Sequence, residues 1–112
     1  MAKLFTIKEN KDFRTAYYRG RVQIHPALVL YARRTKYPYA RVGITAGKKV
    51  GGAVQRNRAR RLLREAYRAV SPGVGAHWDV VLVARARILQ MKSTQLQPVL
   101  RQMLTAAGVV SA

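Results

Sequence analysis

The chain has 112 residues, enough for one domain and too few for two full cores. Hydrophobic residues make up 49%, which excludes a disordered basic tail. The 22 Lys and Arg against 4 Asp and Glu give a formal charge of +18, which calls for a polyanionic partner: nucleic acid first, anionic membrane second.

In chain order, Asn10 is placed to cap a helix over residues 11–19, which Gly20 ends. Phe13, Ala16 and Tyr17 fall on one face of it. Residues 27–33 read as a strand, residues 36–39 as a Pro-punctuated turn, and residues 41–46 as a second strand, the expected hairpin partner of the first. Gly47, Gly51 and Gly52 make a basic loop around Lys48 and Lys49. A long helix follows over residues 53–69, with Val54, Leu62, Leu63, Ala66, Tyr67 and Val70 on its apolar side, and Ser71-Pro72-Gly73 stops it. Residues 78–84 form an unbroken apolar, β-branched run, as in a buried strand. Residues 93–107 read as a last helix with Leu96, Leu100, Met103 and Leu104 inward, its regular part starting near Pro98. The sum is one domain over residues 1–112, an α/β (α+β) two-layer sandwich expected from its charge to be an RNA-binding domain. Its mixed sheet has about four strands, and its three helices lie on one side. The strand–helix–strand unit over residues 41–84 implies a parallel pair, for which a right-handed crossover is the default.

The charge is concentrated. Residues 1–68 hold 18 Lys or Arg and 3 acids, a net +15, whereas residues 69–112 hold 4 and 1, a net +3. Residues 56–68 alone carry six arginines and one acid, Glu65. At 100° per residue, Arg56, Arg60, Arg64 and Arg68 drift slowly round one side, and Arg58 and Arg61 widen it. A solvated surface helix mixes signs at i,i+4; this one gathers like charges, which a polyanion would compensate. Asn57 adds an amide that both donates and accepts. The Lys48-Lys49 loop meets the amino terminus of this helix, where free N–H groups suit phosphates, but its spacing is not that of a P-loop. Phe13, Tyr17 and Tyr31 could stack single-stranded bases or could simply be core; the pattern leaves both open. Glu9, Asp12, Glu65 and Asp79 are scattered, and His25 and His77 are isolated, so neither side-chain catalysis nor a protein metal site is expected. The lack of cysteine, of a signal-peptide run near residues 1–10 and of any span approaching ~20 apolar residues fits a cytoplasmic protein with no membrane partner.

Arg41-Val42-Gly43-Ile44, Lys48-Lys49-Val50-Gly51, Ala53-Val54, Arg56-Asn57-Arg58, Arg60-Arg61-Leu62 and Arg64-Glu65 strongly resemble the bacterial ribonuclease P protein component. Weaker matches extend the resemblance over residues 10–105: Asp12-Phe13, Gly20, residues 28–31 and residues 79–85. The sequence departs from the family at Gly52, where Asn or Lys is frequent, and at Gly47, where Ser or Ala is common. The resemblance implies an α/β sandwich with a left-handed crossover, against the default. It implies the protein subunit of an endoribonuclease in which a catalytic RNA, with its bound Mg²⁺, removes the 5′ leader of precursor tRNA. The partners would be that RNA and precursor tRNA, with no obligate protein partner and no cofactor held by the protein. Lys48, Lys49, Arg56, Asn57, Arg58 and Arg61 would contact RNA, joined on the charge pattern by Arg60, Arg64 and Arg68, while Phe13, Tyr17 and Tyr31 would line a leader cleft between the first helix and the sheet. The bland alternative is a structural RNA binder such as a ribosomal protein.

Overall fold

The computed structural model describes residues 4–109. Five strands form one mixed sheet: β1 (Phe5–Thr6), β2 (Arg21–His25), β3 (Leu28–Arg34), β4 (Arg41–Ala46) and β5 (Trp78–Ala84), in the order β1-β4-β5-β3-β2. Three helices complete it: α1 (Asn10–Arg19), α2 (Ala53–Val70) and α3 (Ser93–Ala106). β4 and β5 are parallel neighbours joined through α2, as expected, with Arg41 opposite Asp79 and Ala46 opposite Ala84. β3 pairs with β5 and not with β4, so residues 27–33 and 41–46 are not a hairpin. The central strand between them explains why: β5 is the most apolar segment and is buried along almost its whole length, so it takes the middle position.

The sheet exceeds the expected four strands because both edges are weakly patterned. β1 is two residues long and is held by its pairing with β4. β2, Arg-Val-Gln-Ile-His, is exposed or half-exposed throughout and lacks the half-buried alternation that marks a strand.

The helices do not lie on one side. Leu28, Leu30, Ala32, Val42, Val80 and Leu82 face α2 and α3 and form the main core. The intervening residue Val81 faces the other way, where α1 packs its Ala16 and Phe13 with Ile7, Tyr31 and Val83. Alternation along β5 supplies apolar side chains to both faces, so the small apolar stripe of α1 finds its own partner. Gly43 permits the close approach: a Cβ at that position would lie 2.5 Å from Cε1 of Phe13.

Helix details also depart from expectation. α1 starts at Asn10 itself, after Glu9, with no side-chain cap. α2 buries Ala59, Leu63, Ala66, Tyr67 and Val70, while Val54 is 78% exposed, as no residue of the first turn is buried. α3 begins five residues before Pro98, where the Lys92 N–H donates to Oε1 of Gln95 at 2.8 Å; Pro98 sits on an exposed side within the helix. The C-terminal end of α3 is tied to β2 by Nη1 of Arg21, which donates to the carbonyl of Ala107 at 2.9 Å.

Candidate nucleic-acid interface

Two surfaces on opposite faces of the sheet carry the residues singled out above. The first is the outer side of α2. Its inner side is fixed against the sheet and α3 by Ala59, Leu63, Ala66, Tyr67 and Val70. Arg58, Arg61, Arg64 and Arg68 are exposed, as is Asn57; Arg56 and Arg60 are half-buried. Nη2 of Arg60 donates to Oδ1 of Asn57, which holds that pair together on the surface. Among the described residues, none of the α2 arginines forms an ion pair with a carboxylate. Six uncompensated guanidiniums on one helix repel one another and are free to accept phosphates in their forked geometry.

Lys48 and Lys49 stand in a short 3-10 turn between β4 and α2, both exposed, with Val50 buried beneath them. Gly51 closes the turn at φ +143°, a conformation that disfavours side chains. Gly52 precedes α2 and gives it no side-chain cap. Because β4 and β5 are parallel, the residues that follow them emerge at the same end of the sheet. Arg85 and Arg87 therefore join Lys48 and Lys49 around a groove of about 560 Å³ floored by Val50, Val83 and Pro26. Sequence reasoning missed Arg85 and Arg87 as site residues; the signal was available in the parallel pairing, which puts both strand ends together.

The second surface is the sheet face that α1 only partly covers. Phe13 and Tyr31 are half-buried, and Tyr17 is 39% exposed. The rings form a line: Tyr17 meets Tyr31 edge to face at 4.9 Å between centroids, and Phe13 lies 6.5 Å from Tyr17. The three residues thus come together as a half-open aromatic strip, neither fully core nor fully free. Val22 and Ile24 of β2, exposed by 44% and 72%, extend an apolar margin beside it.

α1 is anchored over this face by charge. Asp79 is completely buried and receives two hydrogen bonds from Arg41, Nε to Oδ1 at 2.9 Å and Nη2 to Oδ2 at 2.6 Å. Nη1 of Arg41 reaches Asp12 of α1 at 3.5 Å, and Tyr37 stacks on the guanidinium at 4.2 Å. The Asp79 hydrogen bonds, reinforced by the charges of Asp79 and Asp12, push the Arg41 pKa further above its ordinary value and outweigh its partial burial. Two of the four acids are thereby engaged structurally. Among the described residues no three His, Asp or Glu side chains gather as metal ligands do, and no helix is long and apolar enough to cross a membrane.

Comparison with known proteins identifies the family of the chain. The family model for ribonuclease P matches residues 1–108. The ribonuclease P protein component of Staphylococcus haemolyticus is 34% identical over 109 residues, 97% of this chain and 95% of that one. That of Clostridioides difficile is 42% identical over 80 residues, 70% of each chain. The solved structure of the Staphylococcus aureus RNase P protein superposes with a TM-score of 0.83 at 32% identity, covering 97% of this chain and all of the other. With a three-helix, five-stranded mixed fold, a family match over residues 1–108 and relatives of this similarity, the chain belongs to the ribonuclease P protein family.

Proposed function

We propose that the chain, as the protein subunit of ribonuclease P, binds the catalytic RNA and the 5′ leader of precursor tRNA and so assists endonucleolytic removal of that leader. The observation that carries the reading is the half-open line of Phe13, Tyr17 and Tyr31 on a sheet face whose end is rimmed by Lys48, Lys49, Arg85 and Arg87. Rings offer faces to unpaired bases of any sequence, and cations track the backbone beside them. The acid-free side of α2, with Arg56, Asn57, Arg58, Arg60, Arg61, Arg64 and Arg68, docks on the structured RNA through phosphates. The Mg²⁺ of the reaction is held through the RNA; the protein's part is screening of phosphate charge and positioning of the leader, which converts a loosely held strand into an oriented one. The site of action is the cytoplasm.

The test is a comparison of precursor with mature tRNA. Phe13→Ala or Tyr17→Ala should weaken binding of precursor to the reconstituted ribonucleoprotein by roughly 10-fold, the scale of one lost base stack, and leave mature tRNA nearly unchanged. Equal weakening of both tRNAs would refute the leader assignment. Co-purification with ribosomal particles and no effect on precursor cleavage would favour the structural RNA binder instead.

A further inference from the structure

A second aromatic cluster lies at the far end of the same sheet face. Phe5 of β1 stacks on Tyr39 with centroids 4.2 Å apart and planes 23° apart. Tyr39 stacks on Tyr37 at 5.7 Å and 29°, and Tyr37 lies on the Arg41 guanidinium at 4.2 Å. Four planar groups thus form one ladder, and two of its rings are open to solvent: Phe5 is 44% and Tyr37 42% exposed. The ladder walls a cleft of about 580 Å³ whose rim includes Lys8, Glu9, Lys11 and Asp12.

The rim's acids are already engaged. Glu9 pairs with Lys11 at 3.2 Å, and Asp12 pairs with Arg41, leaving Lys8 and the neighbouring Lys36 exposed and without an ion-pair partner among the described residues. Core packing does not explain the ladder, since Phe5 and Tyr37 keep large parts of their surface in solvent. A second copy of this chain is a poor occupant, because two molecules of charge +18 repel each other. A flexible polyanion with planar groups fits both the cations and the open rings.

We propose that the Phe5–Tyr39–Tyr37–Arg41 ladder is a second base-stacking subsite for single-stranded RNA, which takes the nucleotides of the 5′ leader farther from the cleavage point. This rests on the reading of Phe13, Tyr17 and Tyr31 as the leader surface. Position along the sheet gives the order. Lys48 and Lys49 follow the Ala46 end of β4, Phe13 sits over Gly43, and the ladder begins at Arg41, the other end of the strand. The six residues of β4 span about 17–20 Å, so a leader entering at the lysine end passes the first rings and reaches the ladder only if it is several nucleotides long.

The test uses reconstituted ribonucleoprotein and precursor tRNAs with unstructured leaders of about 3 and about 10 nucleotides, lengths chosen to stop short of the ladder or to reach it. Tyr37→Ala and Tyr39→Ala should weaken the long-leader substrate by roughly 5- to 150-fold and leave the short one unchanged. Tyr39→Trp should retain long-leader binding. Tyr37→Ala also uncovers Arg41, so thermal unfolding of each variant is followed, and Tyr39→Leu serves as the second variant that leaves Arg41 covered. Loss with both leaders alike, or with neither, overturns the proposal, as does a protein dimer that the tyrosine variants abolish while leader binding persists. Phe13→Ala in the same assay separates the two readings. If Phe13→Ala weakens precursor binding and the tyrosine variants do not, the ladder assignment alone fails. If Phe13→Ala has no leader-dependent effect, the leader surface itself is wrong.

Discussion

Gly43→Ala tests the link between sheet geometry and leader binding. The added Cβ would stand 2.5 Å from Cε1 and 2.7 Å from Cζ of Phe13, where ordinary contact begins near 3.4 Å. The ring must therefore retreat by roughly 1 Å or swing out. Its helix cannot easily follow, because Ala16 is fully buried one turn on and Asp12 is held to Arg41. Overpacking of this kind costs about 1–3 kcal/mol. The functional effect should exceed what stability alone produces, because Phe13 moves relative to Tyr17 and Tyr31 and the line of rings is broken. Precursor tRNA binding to the reconstituted ribonucleoprotein, read by fluorescence anisotropy, should weaken by about 10-fold, with mature tRNA unchanged. Gly43→Ala combined with Phe13→Leu should recover the unfolding midpoint but not the leader preference. An unchanged midpoint together with an unchanged preference would refute the reasoning.

Three further outcomes follow from the same contacts. Asp79→Asn removes the buried partner of Arg41 and should lower stability by about 3 kcal/mol in urea unfolding; a loss below about 1 kcal/mol would show that Asp12 alone suffices. Burial pushes the Tyr67 phenol above its ordinary value of 10, so the folded state holds that proton more tightly than the unfolded one. Its contribution is complete below about pH 10 and is lost as pH rises beyond it, so wild type should lose urea stability more steeply than Tyr67→Phe above about pH 10; parallel curves would contradict this. Arg58→Ala with Arg61→Ala removes two exposed cations proposed to contact phosphates and should flatten the salt dependence of RNA binding by roughly 1.4–1.8 in log–log slope, whereas an unchanged slope would place the RNA elsewhere.

What could be read from the sequence was what periodicity and composition encode. β5 announces itself as an unbroken apolar run, and α2 as an apolar stripe backed by arginine. β2 did not, because an exposed edge strand has no buried face to impose alternation. The strand order was also hidden: residues 27–33 and 41–46 are close in sequence, yet β5 inserts between them because it has the most apolar surface to cover. The arginines of α2 were legible because charge without acids is visible in any register. Arg85, Arg87 and the Phe5–Tyr39–Tyr37 stack were not, since they meet only through strand pairing between distant segments. The placement of α1 on the second face depends on Gly43, whose role is the space it leaves for Phe13.

On the function proposed above, this chain acts by positioning and charge screening for a catalytic RNA. The direct measurement is cleavage of precursor tRNA by a bacterial ribonuclease P RNA at low Mg²⁺, with and without the purified protein. Under these conditions the RNA alone should be slow, the protein should restore leader removal, and the protein alone should cleave nothing. No stimulation by the protein, or cleavage by the protein in the absence of RNA, would contradict it.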